Sequence, residues 1–324
     1  MIATRASSAL FAASPFLVAA ALWLAACSSD STDTSRSRVP VLTDALGDTL
    51  RIGKPIERVV SLAPSITELV YALGEEHCLV GVTEYCDYPP EAQSRPRVAG
   101  FNAINLEAIV GVRPDLVLAS RGNLPEDLAA IRQVHIPVFA FQIESLAALL
   151  SGIETLGVIV GAEARADSLR RSWQERIARV EAAAGEAPGE ARPRVFFGGI
   201  SEPIYSVGPG SFVHNLIVIA GGRNIFDDVQ SAWPRIDLET LVKRDPDVLF
   251  VGYHAKADTA SVLARLRAAP GWRSLSAVRK GEVLVLGDEV MRPGPRLIDA
   301  LEEISRALYP TGGPRQGVPT RSLD

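Results

Sequence analysis

Cysteine and histidine are scarce in this chain: its 324 residues include three cysteines and four histidines. Cys27, Cys78 and Cys86 are too few for a disulfide-built scaffold and form no CxxC or Cys/His cluster of the zinc type. His77, His135, His214 and His254 are equally scattered, so no metal site is expected. A basic excess is missing too. Lys plus Arg number 33 against 38 Asp plus Glu, a formal net charge of −5, which argues against a protein that grips nucleic acid through a broad basic face. The chain also lacks a G-x-S-x-G elbow, an H-E-x-x-H, a G-x-x-x-x-G-K-S/T loop and a G-x-G-x-x-G after a strand. No nucleophile, base or metal set is favoured, and a binding protein rather than an enzyme is expected.

What the chain does have is length and apolar content. With 47% hydrophobic residues, 26 Gly and 22 Pro, it can bury a sizeable core, and two domains are expected. Its start reads as an address: Arg5 precedes the run Ala9–Ala26, which is apolar except for Ser14 and Pro15. The run closes on Leu24-Ala25-Ala26-Cys27, which resembles a bacterial lipobox, with residues 1–26 as signal peptide and Cys27 as the lipidation site. An uncleaved membrane anchor is the alternative, because the apolar stretch is nearly long enough to span a bilayer. Residues 28–38, SSDSTDTSRSR, are small and polar without periodicity, and a flexible tether is expected over 27–50.

Beyond the tether, short apolar runs alternate with helical periodicity, the α/β signature, and the alternation restarts in the second half. Two Rossmann-like α/β lobes are expected, at 51–161 and 187–312, with a ligand cleft between them and a tail over 313–324. A long α-helix over 162–186 joins them. Its residues Leu169, Trp173, Ile177 and Val180 form one apolar stripe, and no Gly or Pro interrupts it before Gly185.

An internal repeat supports the two lobes. Residues 105–120, NLEAIVGVRPDLVLAS, match residues 237–252, DLETLVKRDPDVLFVG, without a gap. Each copy reads as N-cap, short helix, Pro-Asp turn and buried strand, with Asn105 and Asp237 as caps. Glu107 and Glu239 occupy equivalent places in the two copies. Aromatic and polar residues recur after successive strands, where α/β lobes place ligand sites: Tyr85, Phe101, Tyr205, Trp233, Asp288 and Arg292.

The segments RVVSLAPSITELVYALG, GVTEYCDYPPEA, NLEAIVGVRPDLVLAS, GGRNIF with AWPRIDLETL, and GDEVMRPGPRL resemble the periplasmic cobalamin-binding proteins of vitamin B12 ABC importers. These belong to the helical-backbone class of substrate-binding proteins, shared with siderophore and haem receptors. The match runs from about Arg58 to Leu308. The resemblance implies that Tyr85 stacks on the corrin or its nucleotide loop, that Phe101 stands in for a family Trp, and that Trp233 forms the opposite aromatic wall. It assigns Asp288 and Arg292 to the corrin's peripheral amides, and Tyr205 to the same pocket. Glu107 and Glu239 resemble the two surface glutamates, one per lobe, that meet arginines of the permease. Each is also a favourable acid in the first turn of a helix.

Ser120 stands where the family has a pocket Trp, and Ala220 and Ser305 replace its disulfide cysteines. Cys78 and Cys86 are then a candidate disulfide, with two unpaired thiols as the alternative. With the lipobox, the resemblance implies a monomeric receptor attached by an N-terminal lipid on the periplasmic side of a bacterial membrane. It captures cobalamin or another corrinoid and serves a permease dimer with its ATPase subunits, without a cofactor. The same fold binding haem or a ferric siderophore, and an exported enzyme without a recognisable motif, are the alternatives.

Overall fold

The structure, a computed structural model, describes residues 39–100, 103–185, 192–252 and 258–310, apart from the side chain of Asp288. Its first elements are β1 (Val41–Thr43) and β2 (Thr49–Arg51), an antiparallel hairpin. One carboxylate builds the turn: Asp44 Oδ1 accepts from the Leu46 and Asp48 N–H groups, both at 2.9 Å. Its Oδ2 accepts from the N–H of Ala140 at 3.0 Å, and Ala45 N–H donates to the Ala140 carbonyl at 2.9 Å. The hairpin thus covers a strand that would otherwise be a bare sheet edge. The tether expected over 27–50 is corrected here, since the hairpin occupies its last ten or so residues and is pinned to the folded body. The signal peptide, the lipidation site Cys27 and the tail expected from the sequence lie outside the described residues.

The first lobe runs β3 (Val59–Ser61), α1 (Pro64–Leu73), β4 (Leu79–Thr83), β5 (Arg97–Ala99), α2 (Leu106–Gly111), β6 (Leu116–Ser120), α3 (Pro125–Gln133), β7 (Val138–Phe141) and α4 (Leu146–Val160). Its sheet is parallel throughout, in the order β5-β4-β3-β6-β7. Strands buried on both faces explain the near-continuous apolar runs: Val59, Val60, Leu116, Val117, Leu118 and Ala119 have no exposed surface.

Helix α5 (Glu163–Ala184) follows, within the span expected for it. The second lobe then runs β8 (Arg194–Gly198), β9 (Ile204–Tyr205), α6 (Phe212–Ile219), β10 (Arg223–Asn224), β11 (Arg235–Ile236), α7 (Leu238–Arg244), β12 (Val248–Gly252), α8 (Thr259–Ala268), α9 (Ser276–Lys280), β13 (Val283–Leu286) and α10 (Leu297–Leu308). A second parallel sheet has the order β10-β8-β12-β13, and β9 pairs with β11 antiparallel.

The stripe on α5 is buried as expected. Trp173, Val180 and Ala184 belong to one apolar core that runs from β3, α1 and α4 through α5 into α6, β12 and α10, with Leu169 and Ile177 packed against it. Ion pairs flank this seam. Arg170 pairs with Glu154 of α4 at 2.6 Å, and Arg176 meets Asp299 at 2.6 Å and Glu302 at 2.8 Å on α10.

The repeat has a common local construction. Asn105 caps α2 by accepting from Ala108 N–H at 2.9 Å, and Asp237 caps α7 by accepting from Thr240 N–H at 2.6 Å. The Asp of each Pro-Asp turn then accepts the N–H of an arginine one strand away: Arg58 to Asp115 at 3.1 Å, and Arg194 to Asp247 at 2.8 Å. Each arginine turns its guanidinium onto the last carbonyls of the repeat helix, Val112 and Arg113 for Arg58, Arg244 and Asp245 for Arg194. A cation there satisfies orphan carbonyls and complements the helix dipole.

Cys78 and Cys86 are both buried free thiols, so the candidate disulfide is not formed. Cys86 Sγ instead accepts from Thr67 Oγ1 at 3.1 Å and lies 3.2 Å from Thr83 Oγ1. Burial pushes the Cys78 thiol up to about 12, which suits a packing residue rather than a reactive one.

Candidate functional site

In each sheet the strand order reverses once, between β3 and β6 in the first lobe and between β8 and β12 in the second. Open parallel sheets bind ligands beyond the carboxyl ends of strands at such points, because the flanking loops diverge there and leave a crevice. The crevice is present as a cleft of about 530 Å³, within the usual range for small-molecule sites. The first lobe contributes Ser65 and Ile66 at the start of α1, Ser120–Gly122 after β6, and Phe141–Glu144 after β7. The second contributes Gly210–Phe212 at the start of α6, Ala232 and Trp233 before β11, and Pro293 before α10.

Local bonding fixes these walls. Asn123 Oδ1 accepts from Ser120 N–H at 2.8 Å, and its Nδ2 donates to the Leu62 carbonyl at 3.2 Å, which ties the loop after β6 to the end of β3. Arg121 donates to Gln142 Oε1 at 2.7 Å, and Gln142 Nε2 donates to Glu144 Oε2 at 2.8 Å. The cation and the anion on this wall are thereby linked through one amide. Across the cleft, Trp233 stays 41% exposed while its ring meets Phe212 edge to face, with centroids 5.6 Å apart. An aromatic held in place and still half open to solvent is a ready platform for a flat apolar ligand. His214, on the same helix as Phe212, turns away: its Nδ1 faces Asn224 Nδ2 at 3.1 Å, and burial lowers its pKa.

Of the residues expected in the pocket, the structure brings Trp233 to the cleft wall. Tyr85 and Tyr205 are exposed, but neither is among the cleft-lining residues. Phe101 lies outside the described residues. Asp288 begins a short 3-10 turn over Asp288–Val290, and its side chain is not described. Arg292 sits beside the cleft, next to Pro293, but is engaged by a partner from the other lobe: Asp87 Oδ1 lies 2.5 Å from its guanidinium. That hydrogen bond holds the Asp87 carboxyl below its ordinary range, against a smaller effect of burial. Ser120 lines the cleft, as its place in the resemblance implies.

Sequence reasoning missed a second pair between the lobes. Glu68 of α1 accepts from Arg296 at 2.6 and 2.8 Å, and the Glu68 side chain is 1% exposed. The same guanidinium lies 4.2 Å from the centre of the Tyr88 ring and 3.8 Å from Glu289. Burial pushes the Glu68 carboxyl up, while Arg296 opposes that shift. Sequence reasoning also missed Phe141 and Phe212, although both had a signal: one ends a buried strand and the other opens a helix after a Gly-Pro-Gly-Ser run. Among the described residues no group of three or more His, Cys, Asp or Glu is placed to hold a metal ion, and no helix is long and apolar enough to cross a membrane.

The family model described as periplasmic binding protein matches residues 59–290, nearly all of both lobes. This chain belongs to the periplasmic binding protein family. Within that family it is 33% identical over 260 residues to the vitamin B12-binding protein of Vibrio cholerae, covering 78% of this chain and 90% of the relative. It is 32% identical over 309 residues to an uncharacterised ABC transporter substrate-binding lipoprotein of Bacillus subtilis, covering 91% of this chain and 95% of that one. A solved structure of a periplasmic haem-binding protein from Roseiflexus sp. RS-1 superposes with a TM-score of 0.68 at 28% identity, covering 79% of this chain and 99% of that one. The two-lobed α/β architecture of this periplasmic binding protein is therefore the family's own, with the cleft opening at the switch point of the first lobe's sheet.

Glu107 and Glu239 are exposed in the first turns of α2 and α7, one on each lobe. Glu239 makes an i,i+4 pair with Lys243 at 2.9 Å. Neither lines the cleft.

Proposed function

We propose that this protein is the lipid-anchored receptor of an ABC importer, which captures cobalamin or a related corrinoid between its lobes and delivers it to the permease and its ATPases. The observation that carries this reading is an aromatic cleft between the lobes whose charges are matched: Arg121 is linked to Glu144, and Arg292 to Asp87. A ferric siderophore or a dicarboxylate would call for surplus cations, whereas a macrocycle rimmed with amides calls for aromatic walls and paired donors and acceptors. The B12-binding relatives point the same way, and the lipoprotein relative supports anchoring through Cys27. Haem is the second reading, favoured by the likeness to a haem-binding protein.

Titration of the soluble domain with cyanocobalamin, cobinamide, haem and a ferric siderophore decides between these readings. Corrinoid binding at micromolar concentration or below, without turnover, is expected, and its absence overturns the proposal. Trp233→Ala weakens corrinoid binding about thirtyfold, the ~2 kcal/mol typical of truncating a central aromatic. An unchanged affinity removes Trp233 from the site.

Docking to the permease is assigned to Glu107 and Glu239. Reversing both charges to Lys abolishes uptake in cells and leaves the dissociation constant of the isolated receptor where it was. A parallel loss of affinity would place these residues in the service of the pocket or the fold instead.

A further inference from the structure

The first-lobe wall of the cleft carries a guanidinium and a hydroxyl that their own neighbours leave largely unused, and both flank the crevice at the switch point of the first sheet. We infer that Arg121, the Ser65 hydroxyl and the N-terminal end of α1 form an oxyanion subsite there, and that the group it takes is the phosphodiester of a corrinoid's nucleotide loop. The inference deepens the corrinoid reading and rests on it for the source of the oxyanion. It makes the ligand a complete corrinoid rather than a cobinamide, which lacks the loop.

Among the described residues lining the cleft, Arg121 is the one cation and Glu144 the one anion. They are not directly paired. Gln142 stands between them, accepting from Arg121 at 2.7 Å through Oε1 and donating to Glu144 at 2.8 Å through Nε2. Arg121 is exposed, and one of its five N–H donors goes to Gln142 while the others meet no acceptor among the described residues. A guanidinium held by a neutral amide keeps its charge for a ligand, and its fork suits the paired oxygens of a phosphate. A single cation answers one anionic group, as a phosphodiester provides.

Ser65 points to the same group. It is 8% exposed and lines the cleft, and its hydroxyl has no hydrogen-bond partner among the described residues. A hydroxyl so enclosed is costly to leave unpaired, and a ligand acceptor removes that cost. Ser65 is the second residue of α1, whose N-cap Ala63 offers no side-chain bond and whose first turn holds no acid. The positive end of this ten-residue helix is thereby left for an anion. Topology brings these groups to one crevice: β3 leads into α1, its neighbour β6 leads into Arg121, and Asn123 ties the loop after β6 to the Leu62 carbonyl at the end of β3. The facing wall presents Phe212 and Trp233, so the macrocycle lies on the second lobe while its anionic loop turns to the first.

The test uses corrinoids that differ at the loop: cyanocobalamin, cobinamide phosphate and cobinamide, titrated into the full chain in detergent. Arg121→Gln is expected to weaken binding of cyanocobalamin and cobinamide phosphate about tenfold or more and to leave cobinamide within about twofold, as the loss of a charge-assisted hydrogen bond requires. Arg121→Lys, which keeps the charge without the fork, retains part of the difference. Ser65→Ala lowers the same two affinities about threefold. An equal change for all three corrinoids, or none, overturns the inference and leaves the corrinoid reading standing. Binding of haem in place of every corrinoid, weakened by Arg121→Gln while haem dimethyl ester is not, overturns the corrinoid reading and leaves the subsite standing with a carboxylate as its oxyanion. Failure to bind any of these ligands overturns both.

Discussion

Glu68→Ala lowers the free energy of unfolding by about 3 kcal/mol or more, the cost of leaving one partner of a buried ion pair alone. The effect is large because both Glu68 oxygens are engaged by Arg296, and the carboxylate is almost wholly removed from solvent. Without it the Arg296 guanidinium keeps, among the described residues, the Tyr88 ring and the more distant Glu289. The segment before α10 also loses its hold on the first turns of α1, where Gly294 packs against Ser65 and Glu68. Denaturant unfolding of the variant measures the loss, and a change below about 1 kcal/mol would show that the guanidinium relaxes into water at little cost. Replacing both partners, as in Glu68→Leu with Arg296→Met, recovers most of the stability, because an apolar pair of similar volume has no charge to desolvate.

Gly208→Ala carries a double penalty. A Cβ at this position would run into the Ser231 carbonyl oxygen and lie 2.8 Å from a Val229 methyl. Gly208 N–H donates to the Ala232 carbonyl at 3.0 Å, so the two backbones must separate to admit the methyl group. Overpacking of this kind costs about 1–3 kcal/mol. The segment that must move, just before β11, carries Ala232 and Trp233, both in the cleft wall, so ligand affinity falls together with stability. Thermal unfolding and titration of the same preparation test the coupling. Gly53→Ala, which would meet nothing within 4 Å, serves as the neutral comparison. An unaltered affinity in a destabilised Gly208→Ala would detach Trp233 from this backbone contact.

Features that depend on neighbours in the chain could be read from the sequence. The alternation of strands and helices, the caps Asn105 and Asp237, and the stripe on α5 all arise within a few residues, and each stands where expected. The hairpin at 41–51 was hidden for the opposite reason. Its stability comes from Asp44 reaching Ala140, nearly a hundred residues away, while its local composition reads as an extension of the tether. Long range also governs Arg58 and Arg194, whose partners lie in the repeat rather than beside them. At the site, the place of Trp233 was legible because aromatics before a strand stand out. The engagement of Arg292 by Asp87 was not, since a D-x-x-x-R spacing reports only residues on one segment and the partner comes from the other lobe. Of the two readings of Cys78 and Cys86, the structure has the unpaired thiols: both are buried and free, and closeness in sequence around β4 does not by itself dictate a bond.

The unbroken apolar core through α5 has a kinetic consequence under the proposed function. Any hinge motion between the lobes must shear buried contacts on both sides of this helix, so empty and loaded receptors present nearly the same outer shoulders. A membrane partner that reads those shoulders meets both forms on similar terms. Empty copies then compete with loaded ones for the same docking place, and uptake saturates, or even declines, when the receptor is produced in excess of its ligand.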